Sequence, residues 1–139
     1  FQMLHAMKEP YTYFEQNRTA GCGMYGARVA LLRNGMISQH VQKLLKSYDV
    51  VVIVVPTHAV ARTISLEEAF ATSQIVSNHF PDRDDNVGIF NGKLFRSMRP
   101  EAVFINIGRG CQVNEMELVD VLKSKPPAQP VACSSPIRA

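Results

Sequence analysis

A chain of 139 residues is long enough for one domain with its own core and short for two. With 46% hydrophobic and 19% charged residues it is neither disordered nor a coiled coil, and its longest apolar run, Val50 to Val55, is far from the roughly 20 residues of a membrane-spanning helix. The net charge of +3 comes from dispersed Lys and Arg, so no nucleic-acid footprint is expected. Cys22, Cys111 and Cys133 form no CxxC pair and no even set, which argues against a disulfide framework or a metal site and suits a reducing, cytoplasmic setting.

Residues 1–26 are poorly periodic and read as a short helix, about Phe1 to Lys8, leading into a loop. The start lacks both an initiator Met and the pattern of a signal peptide, so a missing N-terminus is expected. From Ala27 the pattern turns regular. Arg28 to Leu32 is strand-like, and Ile37, Val41, Leu44, Leu45 and Tyr48 then recur along one face of a helix. The unbroken run Val50 to Val55 predicts a strand buried on both faces. Ser65 and Glu68 form a capping box for the next helix, whose inward side is Leu66, Ala69 and Phe70. Gln74 to Phe80 reads as a third strand stopped by Pro81, and Asp82 to Asn86 as a solvated loop. A short helix over Leu94 to Met98, a strand over Ala102 to Ile107 and a helix opened by Asn114 and Glu117 complete the series. Strands that alternate with helices predict an open parallel α/β sheet covered on both faces. Four of the eight prolines lie between Pro126 and Pro136, so no further regular element is expected in residues 125–139.

Two glycine patterns invite a nucleotide reading. The literal GxGxxG at Gly21 to Gly26 follows no strand and opens no helix, so it reads as a loop. The required strand, turn and helix fall instead at Arg33-Asn34-Gly35-Met36-Ile37-Ser38, which keeps the middle glycine. Ser38 replaces the third and is small enough for close helix packing. Arg33 replaces the first, at a position where the turn wants positive φ, and sets a cation beside any bound phosphate. At the end of the second strand, where a carboxylate would hold the adenosine ribose, stand Pro56, Thr57 and His58, with Arg62 further on. Without that acid a 2′-phosphate is tolerated, so the cofactor expected is NAD or NADP.

The ordered set from Ser65 to Ser124 resembles the nucleotide-binding domain of the D-isomer-specific 2-hydroxyacid dehydrogenases. It includes the capped helix, His79-Phe80-Pro81, Gly88-Ile89-Phe90-Asn91, Met98-Arg99-Pro100 and Asn106-Ile107-Gly108-Arg109-Gly110. Weaker similarity reaches back to Ala27. The resemblance implies a Rossmann-like doubly wound parallel sheet over residues 27–124, incomplete, between the leader 1–26 and an unmatched Pro/Ser-rich tail 125–139. It implies Arg109 as the catalytic residue that grips the substrate carboxylate and polarises its carbonyl. Candidate cofactor-binding residues are Gly35, Met36 and Ile37 at the pyrophosphate, Thr57 and His58 beyond the second strand, and Phe80, Pro81, Ile107 and Gly108 around the nicotinamide.

The family also uses a His acid/base and a Glu partner located after that arginine. His5, His40, His58 and His79 all precede Arg109, and Glu115 and Glu117 read as helix-capping and dipole partners. The chain is therefore expected to be part of an oxidoreductase acting on a small 2-oxoacid or 2-hydroxyacid and inactive alone, with the oligomeric state left open and a homodimer among the assemblies the resemblance allows. An apolar edge is expected after Ser124. The alternative is a non-catalytic interaction module that keeps the same scaffold.

Overall fold

The computed structural model describes residues 25–56, 64–100, 102–124 and 131–133. Its elements in chain order are β1 (Ala27–Leu32), α1 (Met36–Leu45), β2 (Val50–Val55), α2 (Leu66–Thr72), β3 (Ile75–Asn78), α3 (Gly92–Ser97), β4 (Val103–Asn106), α4 (Glu115–Ser124) and β5 (Val131–Cys133). Single 3₁₀ turns at Asp84–Asn86 and Gly110–Gln112 precede α3 and α4. All five strands are parallel, in the order β2-β1-β3-β4-β5. The predicted α/β fold is thus the observed one.

Local chemistry explains where the helices start. The Ser65 hydroxyl accepts from the Glu68 amide at 3.0 Å and opens α2. Asn91 does the same for Leu94 at 3.1 Å, so α3 begins earlier than the expected Leu94. Asn114 and Glu117 cap α4 reciprocally, and the second Glu117 oxygen accepts from the Gly92 amide at 2.6 Å, tying α4 to the start of α3.

β1 is buried along both faces. Ala30 and Leu32 join Val76, Phe104, Phe70, Phe90 and Phe95 in one cluster under α2, α3 and α4, while Val29 and Leu31 are buried on the alternate side. The rings of Phe70 and Phe90 stack at 6.0 Å, and Phe104 meets Phe95 edge-on at 5.2 Å.

Several expectations are corrected here. The Val50 to Val55 run is not buried on both faces: β2 is an edge strand among the described residues, Val51 is 52% exposed, and only Val55 is fully covered. An apolar run reports strand propensity, not position in the sheet. On α1, Ile37 and Leu44 face outward, while Ser38 is fully buried and Val41 and Leu45 are half-buried; the helix ends at Leu45, so Tyr48 lies in the turn beyond it and is exposed. Having only one wall of sheet to pack on, α1 turns its smallest residue toward it. Asn86 in the acidic loop is buried and donates to the Pro81 carbonyl at 3.0 Å. Residues 125–139 do contain a regular element, because β5 pairs with Phe104 to Asn106 and so covers the edge expected to be open. Val131 to Cys133 is free of proline, and a strand added at an edge needs ladder bonds on one side only.

Candidate functional site

The register of the strands sets their carboxyl ends level: Leu32 pairs with Val55 and with Asn78, and Asn78 with Asn106. The loops that leave β1, β3 and β4 therefore share one edge of the sheet. The chain runs from β1 outward to β2 and returns on the other side of β1 as β3, so the topological switch point lies between β1 and β3. Gly35, Met36, Ile37, Phe80, Pro81, Ile107, Gly108 and Arg109 are all on this edge. Thr57, His58 and Arg62, like the leader and residues 21–24 of the first glycine pattern, lie outside the described residues.

At the β1 turn the backbone keeps the shape of a glycine turn without its first glycine. Arg33 takes φ 88°, the only positive φ outside glycine among the described residues, and its amide donates to the Val55 carbonyl at 2.8 Å. Gly35 follows in extended geometry and opens α1, whose first turn has neither a capping side chain nor an acidic residue. The first α1 hydrogen bond runs from Gln39 to Gly35, leaving the Met36, Ile37 and Ser38 amides without helical acceptors. A side chain at Gly35 would meet only the Arg33 Nε, at 4.0 Å. Uncapped amides, a helix-dipole positive end and an open glycine face suit a pyrophosphate in charge and shape. The residues present thus fit a dinucleotide.

The two facing loops are stitched by three buried amides that the sequence reading missed. Asn78 Nδ2 donates to Asn106 Oδ1 at 2.8 Å and to Gln112 Oε1 at 2.7 Å. Gln112 Nε2 in turn donates to the Pro81 carbonyl at 2.7 Å, and Asn78 Oδ1 accepts from the Phe80 amide at 2.8 Å. Asn106 Oδ1 accepts from the Gly108 amide at 3.1 Å. This clamp fixes the backbone at 80–81 against that at 108–109. It leaves no room at Gly108, where a Cβ would lie 2.5 Å from Gln112 Oε1 and 2.6 Å from Asn78 Nδ2. The available signal was an Asn ending each of two apolar strands, a poor strand residue in a place that demands a partner.

Phe80 reaches from this loop into the core and meets Phe90 edge-on at 5.8 Å. Its neighbour His79 has both ring nitrogens buried without a hydrogen-bond partner, and burial pushes its pKa below the usual histidine value. Arg109 is exposed and pairs with Asp82 through Nε at 3.0 Å. No group of three His, Cys, Asp or Glu side chains that could hold a metal occurs among the described residues. A separate cleft of about 520 Å³, lined by Gly26, Arg28, Val51 and Gln74 among others, lies at the opposite, amino-terminal edge of the sheet and takes no part in this site.

Residues 2–130 match the family described as D-isomer specific 2-hydroxyacid dehydrogenase, NAD binding domain. The chain is 28% identical over 120 residues to a D-lactate dehydrogenase of Streptococcus pyogenes serotype M1, an alignment covering 78% of this chain and 36% of that protein. More widely, the chain spans about a third of the length of the curated relatives it matches. Among solved structures it resembles the NAD-dependent formate dehydrogenase of Staphylococcus aureus in complex with NAD, with TM-score 0.73, 20% identity, and coverage of 86% of this chain and 38% of that one. An acyclic imino acid reductase in complex with NADPH and D-Arg also gives TM-score 0.73, at 22% identity, covering 94% of this chain and 47% of that one. No helix among the described residues is long and apolar enough to cross a membrane. The fold, the switch-point edge and the match over nearly all of its length make this chain a member of the NAD-binding domain family of the D-isomer-specific 2-hydroxyacid dehydrogenases.

Proposed function

We propose that the chain binds NAD(H) or NADP(H) across the β1–β3 edge as the cofactor-binding part of an oxidoreductase acting on a 2-oxoacid or D-2-hydroxyacid. The uncapped α1 turn beside the open face of Gly35 is the observation that carries this reading. Met36 and Ile37 offer amides to the pyrophosphate. The clamped backbone at Phe80, Pro81, Ile107 and Gly108 walls the nicotinamide end. Thr57 and His58 follow the acid-free end of β2, where either cofactor's ribose would lie. When bound, the dinucleotide supplies or accepts a hydride.

Arg109 serves the substrate. Its planar guanidinium grips a carboxylate bidentately and stabilises negative charge on the neighbouring carbonyl oxygen. Asp82 holds it in the meantime. Because both side chains are exposed, exchanging Asp82 for a substrate carboxylate costs little, about 0–1 kcal/mol for such pairs.

Turnover needs a proton donor for the carbonyl oxygen. The resemblance expects a His after Arg109, and this sequence has none there. The chain alone therefore binds dinucleotide and does not turn over. The setting that suits this chemistry and an odd set of three cysteines without a CxxC pair is the cytoplasm, with a second copy proposed as the partner.

The test is a fluorescence titration with NADH and NADPH followed by addition of 2-oxoacids. Saturable binding without NADH consumption is expected. Consumption above background overturns the inactivity. Absence of binding favours the second reading, an interaction module, which the exposed Ile37, Leu44 and Tyr48 support.

A further inference from the structure

Resting on that dinucleotide reading, we infer that Arg33 is itself a pyrophosphate-binding residue, a cation built into the turn where the family motif asks for glycine. Its backbone is the first observation. At φ 88° an L side chain is strained, and a glycine or asparagine would take the same turn at lower cost. A strained residue of this size at a ligand-facing turn points to a task for its side chain.

The second observation is where that side chain goes. Arg33 is half-buried and folds back along its own turn, with Nε 4.0 Å from the place a Gly35 Cβ would occupy. That side of the middle glycine is the one across which the backbone admits a pyrophosphate. The guanidinium therefore lies on the phosphate face of the turn.

The third is charge. Arg33 takes part in neither the Arg83–Asp85 nor the Arg109–Asp82 ion pair. The first turn of α1 carries no acid, and Asn34 Oδ1 is engaged by Gln42 Nε2 at 3.2 Å. Arg33 and the α1 amides thus add potentials of the same sign at one spot. A pyrophosphate complements both at once: one phosphate oxygen takes the amides and another the planar guanidinium. Because the pyrophosphate is common to both cofactors, Arg33 strengthens NADH and NADPH alike and does not choose between them.

Calorimetric titration of the full chain with NADH and with NADPH, at low and high salt, tests this against Arg33→Gly and Arg33→Met. Arg33→Gly relieves the strained φ, so it should melt at a higher temperature yet bind both dinucleotides about tenfold more weakly, with a shallower salt dependence. Arg33→Met keeps the strain and loses the charge, so it should bind as weakly as Arg33→Gly without the gain in melting temperature. The inference is overturned if Arg33→Gly binds NADH as tightly as the parent chain, or if only NADPH binding weakens, the mark of a 2′-phosphate contact instead. A parent chain that binds neither dinucleotide removes the underlying reading together with the inference.

Discussion

Gly108 and His79 show how tightly single residues are held at this edge. At Gly108 a Cβ would overlap two buried amide groups and sit 3.3 Å from the Phe80 carbonyl oxygen, so Gly108→Ala must spread the clamp. A loss of about 2–3 kcal/mol in urea unfolding is expected, in the range of overpacked core sites. His79 gives a pH signature. Its pKa lies below the unfolded value because burial disfavours the cation, so the unfolded chain binds the proton first as pH falls. Stability is thus fully present above the unfolded pKa of about 6.5 and is lost as pH falls through the folded one. Replacing His79 with Phe should flatten the fall of melting temperature below about pH 6.5 and, by removing two unsatisfied nitrogens, leave stability at pH 7.5 equal or higher. The position of Arg33 was legible in the sequence because strand, turn and helix spacing fixes it. The state of His79 was not, since a histidine beside an apolar run carries no mark of whether its nitrogens find partners.

Among the elements, the β3 and β4 loops are coupled through side chains more than through the ladder. Gln112→Ala takes one of two hydrogen bonds from Asn78 Nδ2, which keeps Asn106, and one from the Pro81 carbonyl, which keeps Asn86, and should destabilise by about 1–3 kcal/mol. Asn78→Ala should cost a similar amount, and the double variant should cost at least about 1 kcal/mol less than the sum, since both break one network. Additive losses would show that the amides act independently. The order and type of β1 to β4 and α1 to α4 were readable from periodicity and caps, because those signals are local. What stayed hidden depends on neighbours distant in sequence: β2 at the edge, the inward turn of Ser38 instead of Ile37 and Leu44, and the pairing of Val131 to Cys133 with β4. The clamp escaped for the same reason, since Asn78, Asn106 and Gln112 meet only once β3, β4 and the turn after β4 come together.

At the scale of the whole molecule, a five-stranded sheet and its Phe-rich core carry the candidate edge, and the chain spans about a third of its curated relatives. Gly35 separates the needs of the fold from those of the ligand. Its dihedrals, φ −91° and ψ 178°, suit any residue, and a side chain there meets only the flexible Arg33. Nothing in the packing of the described residues requires glycine, and on the proposed function its role is to admit the dinucleotide. The direct measurement is calorimetric NADH and NADPH binding by the parent chain and by Gly35→Val, with thermal unfolding of both. Saturable binding by the parent and equal melting temperatures are expected, with binding weakened at least about tenfold in Gly35→Val as the isopropyl group blocks the pyrophosphate. Equal affinity in the two proteins, or no binding by the parent, would contradict the proposed function.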